Sequence, residues 1–131
     1  MANPNLINVS TVLGSTVGKT INNYTDSDIT VLSGITDKVL KLNIIRVTNV
    51  HQSIADAITI EFVHDSSGTD IVTSFAQDIN IPIRQSLPVL EGSIYLTEDD
   101  RLVMRRTNTQ LISSDSDTLQ ALLSYEQLDA A

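Results

Sequence analysis

The clearest hydrophobic pattern lies in residues 39–64, which read VLKLNIIRVTNV, a short polar link HQSIAD, then AITIEFVH. In the second half Ile58, Ile60 and Phe62 share one parity, and Thr59, Glu61 and Val63 take the other. That alternation marks a strand with one face toward a core. The link is too short for a helix, so the spacing predicts an antiparallel hairpin. The first half changes phase: Leu40 and Leu42 keep one parity, Ile45 and Val47 the other. Either a β-bulge near Asn43 corrects the register, or both faces of this strand are buried.

Similar segments fill the rest of the chain. Residues 1–8 read as an N-terminal arm, because Asn3-Pro4-Asn5 is turn or extended chemistry. A first strand is expected to end at Gly14, a Thr-rich one to run over about 16–25, and a third to cover 29–32. Residues 65–70 (DSSGTD) have loop composition. Strands follow at 71–75 and 79–83, and Pro82, which cannot donate to a ladder, places the latter at a sheet edge. An extended run over 87–96 is broken at Glu91-Gly92. Residues 102–106 and 119–125 make the last strands, with a polar loop at 113–117 and a loose tail at 127–131.

Eight to ten short strands with frequent turn signals predict an all-β protein, an antiparallel β-sandwich of jelly-roll type, as a single domain over 1–131. Two helices compete with this reading. Residues 118–128 (TLQALLSYEQL) carry good helix formers, and 52–58 have room for one helical turn.

Composition narrows the function classes. The chain has 131 residues, enough to bury roughly two thirds of its unfolded surface. It has no Cys, so disulfides and thiolate metal sites are excluded. The net charge of −8 argues against nucleic acid or an anionic membrane as partner, since both need clustered Lys and Arg. Arg105 and Arg106 are adjacent, but strand neighbours point to opposite faces. The N-terminal residues have no basic-then-apolar signal pattern, and no apolar run approaches a membrane span. A soluble protein made in a cytoplasm is expected.

No motif for catalysis stands out. His51 and His64 flank the predicted hairpin and would need Asp56 or Asp65 to approach a metal site, which falls short of four ligands. Glu98-Asp99-Asp100 and Asp115-Ser116-Asp117 have the oxygens for Ca²⁺ without the spacing of a ligand loop, so solvated turns are expected. Glu61 and Glu91 have no reason to meet. Residues 14–20 read GSTVGKT, one residue short of a phosphate loop and without the strand-to-helix setting. The expectation is no catalytic residue, no metal, no cofactor and no enzyme.

The opening ANPNLINV, the strand KVLKLNIIRVTNV, its successor ADAITIEFVHDSSG, the segment SIYLTEDDRLVM and the close LQALLSYEQL occur in order along nearly the whole chain. Together they resemble small virion proteins of tailed bacteriophages, especially those infecting marine bacteria. The resemblance implies a capsid decoration (cement) protein on the outer capsid surface of a virion, made in the host cytoplasm. Its partner would be the major capsid protein, which it would bridge and stabilise. The alternative is a β module of the tail, neck or fibre that binds a host receptor or glycan. A homo-oligomer, most simply a trimer, is expected because exposed β edges need cover. The candidate partner-binding residues are Asn3, Pro4, Asn5 and Leu6, where an apolar side chain sits beside turn chemistry on a terminus able to order on a partner.

Overall fold

The computed structural model describes residues 9–21, 28–50, 55–106 and 119–130. They form nine strands: β1 (Val9–Ile21), β2 (Ile29–Ser33), β3 (Lys38–Asn49), β4 (Asp56–Ser66), β5 (Thr69–Ile81), β6 (Ser86–Pro88), β7 (Ile94–Leu96), β8 (Asp100–Arg106) and β9 (Leu119–Ala130). One antiparallel sheet has the order β1-β9-β3-β6, with β7 also paired to β3, and the other has the order β2-β8-β4-β5. Because β6 and β7 lie along the same strand, they act as one broken strand. The two sheets are then the four-plus-four arrangement of a jelly roll, in which the chain crosses between sheets at most connections.

The sheets close on each other through one apolar face each. Leu40, Leu42, Ile45, Val47, Leu119 and Leu123 of the first sheet are fully buried, as are Ile58, Ile60, Ile81, Leu102 and Met104 of the second. The phase change in β3 is a bulge: its register with β9 shifts between Leu42 and Ile44. The extra residue, Asn43, returns Ile45 and Val47 to the inner face that Leu40 and Leu42 occupy. Ile58 and Ile60 point inward as expected, and Phe62 packs half-buried against the same core.

Several expectations need correction. The predicted β3–β4 hairpin does not form, since β3 pairs with β9, β6 and β7 while β4 pairs with β5 and β8. Two strands with one apolar face each can bury those faces across a core instead of side by side. The true hairpin is β4–β5. Its tip is Ser67-Gly68, with φ of 54° and 87°, and two successive positive φ values match the twist of paired strands.

Gly14 does not end a strand, because β1 runs unbroken through it against the twelve-residue β9. Nor are residues 71–75 and 79–83 separate strands: β5 spans Thr69–Ile81, bent where Asp78 takes φ 50° and its N–H donates to Thr59 Oγ1. Pro82 falls just past the end of β5, which is indeed an edge strand.

The loose tail is also overturned. Residues 127–130 belong to β9, where Leu128 lies opposite both Val12 and Val39. A strand flanked on both sides satisfies its N–H and C=O groups through two ladders, which holds the end of the chain. The helix over 118–128 is excluded for the same segment: Leu119, Ala121 and Leu123 are buried while Gln120 and Leu122 are exposed, a period of two. The arm at 1–8, the link at 51–54 and the loop at 113–117 lie outside the described residues.

Candidate functional site

The candidate clamp residues Asn3, Pro4, Asn5 and Leu6 lie outside the described residues, as do His51 and the acidic run at 115–117. Several of the other polar residues singled out in the sequence have structural employment. Asp100, at the start of β8, is a hub. Its Oδ2 accepts from Thr97 N (2.8 Å) and Thr97 Oγ1 (2.9 Å), and its Oδ1 lies 2.6 Å from His64 Nδ1 on β4. The Asp100 carbonyl accepts from Gly34 N at 2.8 Å, tying in the turn between β2 and β3. The hydrogen bond to Asp100, aided by the fields of Asp99 and Asp65, raises the pKa of the His64 imidazole above its ordinary 6.5. Among the described residues no group of three or more His, Asp or Glu is placed to hold a metal ion.

Glu61 and Glu91 are not brought together. Glu61 on β4 pairs with Arg105 of β8, whereas Glu91 sits in the connection between β6 and β7. Residues 14–20 are extended within β1, so no loop cradles a phosphate. Arg105 and Arg106 do point to opposite sides: Arg105 meets Glu61 and Asp28, and Arg106 is buried against Asp56.

The two outer faces differ in chemistry. The second sheet carries the Arg105–Glu61–Asp28 cluster and the Arg101–Asp70 pair, whose guanidinium lowers the Asp70 pKa. Such mutually paired charges suit a solvated face. The first sheet shows Gly14, Thr16, Gly18 and Thr20 along β1, beside Gln120, Leu122 and Ser124 of β9. Leu122 and Ile44 stand on this face 46% and 50% exposed. Between Gly18, Thr20, Thr48, Gln120 and Leu122 lies an open depression of about 400 Å³. The small residues flatten the β1 side of this face, and toward β3 the exposed Arg46 lies opposite Leu122 and Lys41 opposite Glu126.

Edges decide which part of a β-sandwich can accept a partner. The β2 edge is only five residues long, and the β6/β7 edge is split into two three-residue pieces. The β5 edge carries Asp70 and Asp78 and is bent at the latter. β1 has none of these protections. It is thirteen residues long, contains neither Asp, Glu nor Pro, and keeps regular register with β9 from Thr11 to Ile21. Across the sandwich, β2 is too short to cover it. Leu13, on the inner face, therefore remains 53% exposed, and Val12, on the outer face, is 58% exposed. The sequence hid this feature, because alternation shows which face a side chain takes and not whether the opposite sheet reaches it. The signal present was the Gly14/Gly18 spacing and the absence of acidic residues over 9–21 in so acidic a chain.

No known protein family matches the chain, and no curated protein does. Among solved structures, the crystal structure of the infectious bursal disease virus VP2 subviral particle is similar, with a TM-score of 0.51 at 11% identity. The likeness covers 93% of this chain and 33% of that one, so the chain spans about a third of its length. At this identity the likeness is one of fold. The chain is a β-sandwich similar in fold to part of that protein.

Proposed function

We propose that this chain is a non-enzymatic virion structural protein, a capsid decoration protein that binds the outside of an assembled coat lattice and bridges neighbouring subunits. The observation that carries the reading is the two-sheet jelly-roll arrangement, similar in fold over nearly the whole chain to a protein of a viral particle. The whole-chain resemblance to small phage virion proteins supports it. So do the two outer faces: an ion-paired face suited to solvent, and a face that exposes Ile44 and Leu122 beside Arg46 and is suited to contact. Its acidity favours the outer surface, because the packaged genome would repel it. Many modest contacts repeated over a lattice give strong attachment without high affinity per copy.

A second reading, a tail or fibre module that recognises a glycan, is favoured only by the depression whose rim offers Thr20, Thr48 and Gln120 as hydroxyl and amide partners. The location of the protein's density on an intact particle, imaged by electron microscopy, separates the two. Purified protein added to coat particles lacking it should decorate the shell and raise its melting temperature; density confined to the tail would refute decoration. The arm is the clamp candidate on its sequence alone. Deleting residues 2–6 should leave folding intact and weaken shell binding, and equal decoration by the truncated protein would exclude the arm.

A further inference from the structure

We propose that β1 is a self-pairing edge, and that two copies of this chain join antiparallel through it to continue one sheet across a two-fold axis. Three observations point to a second copy as the occupant. First, among the described residues no strand pairs with the far side of β1, so it presents a row of main-chain donors and acceptors over thirteen residues, about 40 Å, which another extended segment can satisfy.

Second, the side chains match under a two-fold. With the axis at Ser15, Leu13 of one copy lies opposite Val17 of the other, and Val17 opposite Leu13. On the other face Val12 meets Gly18, and Gly14 meets Thr16. Directly opposed residues of antiparallel strands bring their Cβ atoms within about 5 Å, so each exposed Leu13 gains an apolar neighbour on the ledge that β2 leaves uncovered. Val12, opposed by a glycine, has room.

Third, the charges permit it. Two chains of net charge −8 repel each other generally, yet Lys19 is the only charged residue in β1. Opposite Lys19 stands Thr11, so no like charges face each other across the seam. The other edges lack this combination: β5 would set Asp70 and Asp78 into the seam, and β2, β6 and β7 are too short. A two-fold pairing closes at two copies, unlike the trimer expected from the sequence.

The test needs no coat particle, so it stands or falls apart from the decoration reading. Sedimentation of the full chain at micromolar concentration, in about 0.15 M and 0.5 M salt, should give the mass of two copies, with tighter association at the higher salt as repulsion is screened. Leu13→Glu and Val17→Lys, neither at a fully buried position, should each weaken dimerisation by about tenfold or more while the unfolding transition is kept. Mixed together, the two variants should recover a dimer. The new carboxylate of one copy then faces the new ammonium of the other across one half of the seam, and the native Leu–Val pair faces across the other half. In this cysteine-free chain, Ser15→Cys should also cross-link to a dimer under mild oxidation, and Thr11→Cys should not. A mass of one or of three copies at both salt concentrations overturns the proposal. So does a dimer that both charged variants leave intact, or a mixture of the two that stays monomeric.

Discussion

Arg106 Nε stands 2.8 Å from Asp56 Oδ2, with both side chains shut away from solvent. The pair joins the last residue of β8 to the first of β4, at the point where the chain arrives from the opposite sheet. Asp56 Oδ1 also accepts from Ala57 N at 2.8 Å, which fixes the carboxylate for the guanidinium. A buried charge without its partner cannot recover its lost hydration, so the two residues stand or fall together.

Arg106→Met should therefore destabilise the fold by about 3–5 kcal/mol, since it leaves the Asp56 carboxylate buried and unmatched. The double variant Arg106→Met with Asp56→Leu should recover most of that loss, as apolar replacements of a buried pair are often neutral. Urea unfolding of the two variants checks both. A double variant no better than the single one would show that an unmatched charge is not what the single variant suffers from.

Gly34 is irreplaceable for a different reason. A Cβ built there would collide with the Thr97 carbonyl oxygen, a backbone atom that cannot swing aside. The turn between β2 and β3 thus rests directly on the turn that precedes β8, and Gly34 N donates to the Asp100 carbonyl across the contact. Gly34→Ala should cost about 1–3 kcal/mol through forced backbone displacement. Gly14→Ala, where nothing lies within 4 Å, should change stability by less than about 0.5 kcal/mol. Urea midpoints of the two variants give the contrast, and equal values would mean that the Gly34 turn moves freely.

Ile60 is fully buried at the centre of the second sheet, whereas Val72, on the same hairpin, is 53% exposed. Ile60→Ala should cost about 2–5 kcal/mol. Val72→Ala should cost much less, within about 0.5 kcal/mol. Thermal unfolding of the pair measures the difference directly, and equal losses would mean that the hairpin tip is buried by a partner.

What the sequence made legible follows from the range of each physical signal. Alternation is local, so the inward faces of β4 and β9, and the bulge at Asn43 that reconciles the two halves of β3, can be read from neighbouring residues. Strand pairing is not local. The apolar faces of β3 and β4 are equally well buried beside each other or across a core, and only the complete set of strands decides. Likewise Gly14 and residues 127–130 look like breaks in isolation. They become strand because β9, held between β1 and β3, extends hydrogen-bond ladders past them. The exposed β1 edge depends on the length of β2, a strand in the other sheet. No window of sequence around β1 contains that information.

The final prediction concerns pH. His64 Nδ1 shares a hydrogen bond with the Asp100 carboxylate, and Asp99 and Asp65 add their fields, so the folded protein holds the imidazolium more tightly than the unfolded chain does. A group whose pKa is higher in the folded state contributes stability that is fully present below its unfolded value of about 6.5. That contribution fades as pH rises through the higher folded value. The Asp70 and Asp129 carboxylates, lowered by Arg101 and Lys38, act with the opposite sign: their contribution is present above the ordinary carboxylate range and is lost on acidification. Stability should accordingly fall as pH rises above about 6.5, well above the range in which the carboxylates act. His64→Gln should flatten the curve in that window while keeping its acid limb. The midpoint of urea unfolding, measured at intervals from about pH 3 to pH 9, reads both limbs. A wild-type curve that is level from about pH 6 to pH 8 would show that Asp100 holds neutral His64 as well as it holds the imidazolium.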